Sequence, residues 1–173
     1  EFVELVGPEF DSVTVVPYPP DKSLDYSALE ALVRSQLPQS KPFILLGESF
    51  SGPVALSIAE APPPNLVGLI LSTTFAASPV PFLSPFVVLT HIAPVRALPQ
   101  SLLSWLLLGR WATPQLETSL QETLQAVSPA VLRFRAATAM RANASVGLHS
   151  ISNPVLYLRA SHDRLLPPTA SRH

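Results

Sequence analysis

Six consecutive residues, Gly47-Glu48-Ser49-Phe50-Ser51-Gly52, place a potential nucleophile between small neighbours. Phe43-Ile44-Leu45-Leu46 before them is an apolar run of strand length, and Pro53 to Ala59 after them carries apolar groups at helical spacing. A serine on so tight a strand-to-helix join stands at the C-terminal edge of a sheet with its hydroxyl exposed. The backbone N–H of Phe50, in the first helical turn, points where an oxyanion would form. The chemistry that suits such a seat is attack on an acyl carbonyl, with Ser49 as nucleophile and Phe50 as one oxyanion donor.

The string departs from Gly-x-Ser-x-Gly. Its fifth position is Ser51, and the glycine comes one residue later, at Gly52. Strand and helix backbones approach closely at such a join, so small groups are needed on both sides of the nucleophile. Gly47 meets that need before Ser49, and Ser51 with Gly52 meets it after. A join that uses small residues for packing alone is the competing explanation.

A second segment bears on the same chemistry. Asn153-Pro154-Val155-Leu156-Tyr157-Leu158 reads as another buried strand, running into Arg159-Ala160-Ser161-His162-Asp163. An aspartate just past a late strand is where the acid of a catalytic triad follows its serine, holding and stabilising a histidine imidazolium. Asp163 also fits a simple turn cap, since aspartate favours turns.

These segments resemble the α/β-hydrolase superfamily, and within it esterase-like enzymes such as the pimeloyl-carrier-protein methyl ester esterases. The resemblance spans nearly the whole chain and rests on "FILLGESFSGPVALSIA", "LVGLILSTT" and "NPVLYLRASHDRLLPP". It implies a mostly parallel sheet, a Ser–His–Asp triad, no cofactor and carboxylic ester hydrolysis on a small-molecule substrate. It maps the nucleophile to Ser49, the acid to Asp163, an oxyanion N–H to Phe50, and the elbow to Gly47, Ser51 and Gly52. Thioester hydrolysis, acyl transfer and a non-catalytic binding protein on the same fold stay open.

Two parts of that pattern have no counterpart here. No His-Gly stretch precedes the elbow to give a second oxyanion donor, and no strand with a histidine follows the acid loop. His91 and His149 fall in the middle of the chain, His162 adjoins the acid, and His173 lies in "PPTASRH", which reads as the first turns of a helix. The expected base is therefore a histidine outside these 173 residues. Composition points the same way: charged residues make up 13% and hydrophobic residues 47%, so apolar strands expect further neighbours. In the family's strand order a strand absent from this chain separates Val13–Val16 from the elbow strand. The chain alone is expected to be an inactive, poorly soluble fragment, incomplete at both ends.

The elements needed to position these residues fall into three parts. Residues 1–74 hold a strand at Val13 to Val16 and an amphipathic helix from Ser23 to Leu37, with Ser27 and Glu30 at capping-box spacing. The elbow strand and helix follow, and then a strand from Leu66 to Leu71. Residues 75–152 break the alternation with helices at Ser101 to Leu108, Gln115 to Val127 and Ala130 to Arg141, the last started by Ser128-Pro129. This part reads as a helical cap lining a pocket for an apolar acyl group, or touching a membrane surface. Residues 153–173 return to the core with the acid loop.

The remaining bounds are exclusions. A net charge of −1 without a basic stripe argues against a nucleic-acid partner. There are no cysteines, hence no disulfides or thiol chemistry. No Gly-rich phosphate loop or Cys/His metal spacing occurs. His91, Pro94, Arg96 and Pro99 interrupt the most apolar stretch, so no transmembrane helix is expected. Asn143-Ala144-Ser145 has the form of a glycosylation sequon, a triplet common by chance.

Overall fold

The computed structural model describes residues 4, 7–78, 99–144 and 148–164. Three strands, β1 (Phe43–Glu48), β2 (Leu66–Ser72) and β3 (Val155–Leu158), form a parallel sheet in the order β1-β2-β3. Helix α1 is Tyr26–Arg34 and α2, between β1 and β2, is Gly52–Glu60. Between β2 and β3 come α3 (Gln100–Leu107), α4 (Pro114–Ala126) and α5 (Pro129–Met140).

Helix α2 is apolar on nearly all sides because it is covered on two. Ala55, Leu56 and Ala59 pack on Leu66, Leu69 and Leu71 of β2, with Phe43 and Leu45 of β1 at the margin. Val54 and Ile58 face the other way, onto Leu29 and Val33 of α1. Burial of this order contributes roughly 1.5–3 kcal/mol per large side chain, so α2 is the hub of the described core. A polar clamp fixes the two helices in register: Glu30 accepts from Ser57 Oγ at 2.5 Å and from Arg34 Nε at 2.7 Å. Arg34 also donates to the Ala61 carbonyl at 3.0 Å.

The excursion between β2 and β3 is closed at its root. Ala77 bridges antiparallel to Asn143, Ser78 N–H donates to the Ala142 carbonyl at 2.8 Å, and Ala144 N–H to that of Ala76 at 2.6 Å. The outgoing and returning chains thus pair with each other before β3 joins the sheet. At β3's entry Asn153 Nδ2 donates to the Leu66 carbonyl at 2.7 Å.

Two expectations need correction. Val13 to Val16 is not a strand: it has no regular structure and pairs with no strand among the described residues, and Val13 and Val15 are exposed. An extended apolar run becomes a strand only when a neighbour accepts its backbone hydrogen bonds. The first helix is also shorter than Ser23 to Leu37. Asp25 is its N-cap, accepting from Ala28 N–H at 2.9 Å, so the Ser27/Glu30 capping box is not used and Glu30 joins the clamp instead. The three later helices lie within a residue or two of their expected bounds; Ser128 caps α5 through Val131 N–H at 3.2 Å, with Pro129 at the first helical position. None of the described helices is long and apolar enough to cross a membrane.

Candidate active site

The chain turns at the end of β1 within one residue. Glu48 is still extended (φ −109°, ψ 135°), Ser49 has φ +48°, and Ser49–Ser51 form a 3₁₀ turn that leads into α2. A non-glycine residue in this left-handed region costs on the order of 1–3 kcal/mol and persists only where the surroundings impose it. Three contacts impose it here. Ser51 Oγ accepts from Glu48 N–H and donates to the Glu48 carbonyl, both at 2.8 Å. Thr74 Oγ1, on a residue only 1% exposed, donates to the Ser49 carbonyl at 2.5 Å. Ser49 itself is exposed.

The glycines on either side are required by space. A Cβ on Gly47 would lie 2.6 Å from Ala55 Cβ and 3.1 Å from Gly52 Cα, and one on Gly52 would lie 1.8 Å from Thr74 Oγ1. Ser51 occupies the usual glycine position because its side chain folds back onto Glu48, while the close approach falls one residue later. Gly52→Ala is expected to cost about 3 kcal/mol, the upper end of overpacking effects. It should lower the melting temperature by roughly 6–12 °C in a thermal melt, since Thr74 or the start of α2 must move.

Phe50 lies in the first turn, where helical N–H groups have no intrahelical partner. Its ring stacks on Tyr26 (centroids 5.0 Å apart) and meets Tyr18 edge-on at 6.3 Å. Burial pushes the Tyr18 phenol up to about 12, against the guanidinium of Arg135, and raises Tyr26 as well, with Tyr18 adding to the rise. Both rings are therefore neutral walls at ordinary pH. Arg135 of α5 lies 5.9 Å over the Tyr18 ring and donates to the Pro19 carbonyl at 3.0 Å. With Ser128 N–H on the Pro20 carbonyl at 2.9 Å, this ties the helical excursion to the segment that packs on Phe50.

The loop that follows β3 and carries Asp163 leaves the same sheet edge. Glu48 pairs with Ser72 and Ser72 with Leu158, so the three strands end level, and Thr73 N–H donates to the Leu158 carbonyl at 2.8 Å. Ser49 and the segment leading to Asp163 thus rise from one edge with the end of β2 between them. Tyr157 OH donates to the Thr74 carbonyl at 3.0 Å. Burial raises the Tyr157 phenol; Arg159 opposes this and the half-buried Asp163 adds to it. Arg164 stacks on Trp105 (4.5 Å to the ring centroid) and donates to the Trp105 carbonyl beside Gly109, whose φ is +58°. The loop after β3 is therefore latched to α3.

Of the four histidines, His162 lies in the loop that leaves this edge, His149 lies away from it, and the other two fall outside the described residues. His162 shares a hydrogen bond with Ser161 Oγ at 2.8 Å, and His149 lies in a short turn before β3, toward the opposite end of the strand from Ser49. His91 and His173, and the helix expected around "PPTASRH", lie outside the described residues. Among the described residues no cluster of three or more His, Asp or Glu side chains could hold a metal. Thr74 and Tyr157 were not evident from sequence; the only signal was a pair of small polar residues, Thr73-Thr74, directly after a buried strand.

The sequence model of the family described as serine aminopeptidase, S33, matches residues 21–173. The chain belongs to that family. No curated protein matches the sequence. Among solved structures, this serine aminopeptidase family chain is similar to MGS-M2, an α/β hydrolase enzyme from a Medee basin deep-sea metagenome library. The TM-score is 0.60 at 15% identity, over 94% of this chain and 62% of that one. At such identity the likeness shows the fold: a partial α/β-hydrolase fold with helices on a parallel sheet. The chain spans less than two thirds of that relative's length.

Proposed function

We propose that this chain carries the nucleophile and acid of a serine hydrolase that cleaves carboxylic esters through an acyl-enzyme on Ser49. The observation that supports it most is the φ of +48° at an exposed serine directly after β1, held by Ser51 and Thr74. Backbone strain at a reactive group is a recurrent mark of pre-organisation.

In this reading a histidine outside these residues takes the Ser49 hydroxyl proton as Oγ bonds to the substrate carbonyl carbon. Phe50 N–H stabilises the oxyanion, and Asp163 orients and stabilises the imidazolium. The tetrahedral adduct collapses with loss of the alcohol, which takes the proton from the imidazolium. Water, deprotonated by the same histidine, then releases the acid and frees Ser49. Residues 75–152 act as a cap over an apolar acyl pocket, consistent with their ties through Arg135 and Arg164 to both sides of the sheet edge. No cofactor is needed for these steps.

The family's description favours a second reading, cleavage of an amide at a peptide N-terminus on the same machinery. Thioester hydrolysis and acyl transfer differ from both only in leaving group and acceptor. A panel of short-chain aryl esters, an acyl thioester and aminoacyl anilides, run on the protein carrying this chain, separates them. The ester reading expects a burst of phenol near one equivalent and a trapped acyl group on Ser49. Turnover of anilides alone would replace it with the peptidase reading, and turnover of none would favour a non-catalytic relative.

A further inference from the structure

Among the described residues two non-glycine residues have positive φ, Ser49 (+48°) and Thr73 (+41°), and they end neighbouring strands in register, after Glu48 and Ser72. Thr74 follows the second and touches the first. Its buried hydroxyl donates to the Ser49 carbonyl, its side chain fills the space that a Cβ on Gly52 would need, and its own carbonyl accepts from Tyr157 OH. Tyr157 belongs to the strand that leads to Asp163.

We propose that Thr74 is the positioning residue for the nucleophile, holding the Ser49 peptide in its left-handed conformation, with Tyr157 extending that hold to the acid strand. This rests on the reading of Ser49 as nucleophile. Thr74 touches no reacting atom. The rotation about the Ser49 backbone that relieves its strain swings the carbonyl away from Thr74, so one hydrogen bond opposes relaxation of the seat. A buried bond of this kind, once removed, leaves an unsatisfied carbonyl as well as a freed backbone. Tyr157 keeps Thr74 in place from the far side. Elbow and acid strand are thereby joined through the end of β2.

Thr74→Val keeps shape and burial while deleting the donor, and Thr74→Ser keeps the donor. In the protein carrying this chain, Thr74→Val should slow the saturating rate of Ser49 modification by a fluorophosphonate by about 10–100-fold. Apparent affinity for the reagent should change by less than about twofold, because ground-state binding is untouched. Thr74→Ser should stay within about threefold of the parent rate, and amide hydrogen exchange across Ser49–Ser51 should accelerate about tenfold or more in Thr74→Val alone. If Thr74→Val does not fold, Tyr157→Phe, at a position 37% exposed, takes its place, with an expected slowing of about 3–10-fold. Parent-like labelling and exchange in Thr74→Val, or in Tyr157→Phe where that variant stands in, would overturn the proposal. A parent protein that does not label at all would instead overturn the nucleophile reading, while the exchange measurement would still report on Thr74.

Discussion

Ser49→Ala is expected to lower ester turnover by on the order of 10⁵–10⁶-fold in the protein carrying this chain, as loss of a triad nucleophile does. What remains is the contribution of binding and of the Phe50 oxyanion donor. The fold should be indifferent. Ser49 is exposed, and alanine has the same Cβ at φ +48°, so backbone strain is neither added nor relieved. Ser49→Gly gives the complementary result: equally inactive, but more stable by about 1 kcal/mol, because glycine adopts this conformation without a Cβ penalty. A thermal melt of the two variants beside the parent reads both effects. Equal melting of all three would mean that the seat stores no strain.

Asp163→Asn should reduce turnover of a short-chain aryl ester by about 10³-fold or more, because an amide neither fixes the required histidine tautomer nor stabilises the imidazolium. Reagent labelling of Ser49 should slow in parallel. A loss below about tenfold would assign the role to another carboxylate. The two nearest in sequence to the nucleophile are poorly suited. Asp25 is occupied as the N-cap of α1, and Glu48 lies at the exposed end of β1, in register with Ser72 rather than with the acid strand.

The tight strand-to-helix turn at Gly47–Gly52 was legible because its determinants are local. Gly47, Gly52 and Pro53 can be read as a close approach and a helix start, and the structure gives each a contact distance or a position. The Phe43, Leu66 and Val155 strands were likewise legible from apolar runs separated by a helix and by a helical excursion, but Val155–Leu158, expected to be buried, is exposed along its whole length. Val13–Val16 was misread because strand formation depends on a partner, which local propensity does not report. Thr74 and Tyr157 escaped for a similar reason. Their importance comes from hydrogen bonds to residues 25 and 83 positions away in sequence. The latch between Arg164 and Trp105 spans 59 positions and is equally invisible in a linear pattern.

Ser49 is the residue on which the chemistry depends, and a fluorophosphonate reaction followed by peptide mapping tests it most directly. The protein carrying this chain should take up one equivalent of reagent, lose ester turnover in proportion, and show the mass increment on the peptide containing Ser49. Ser49→Ala should take up none. An adduct on any other residue, or ester turnover that persists after Ser49 is fully modified, would contradict the account.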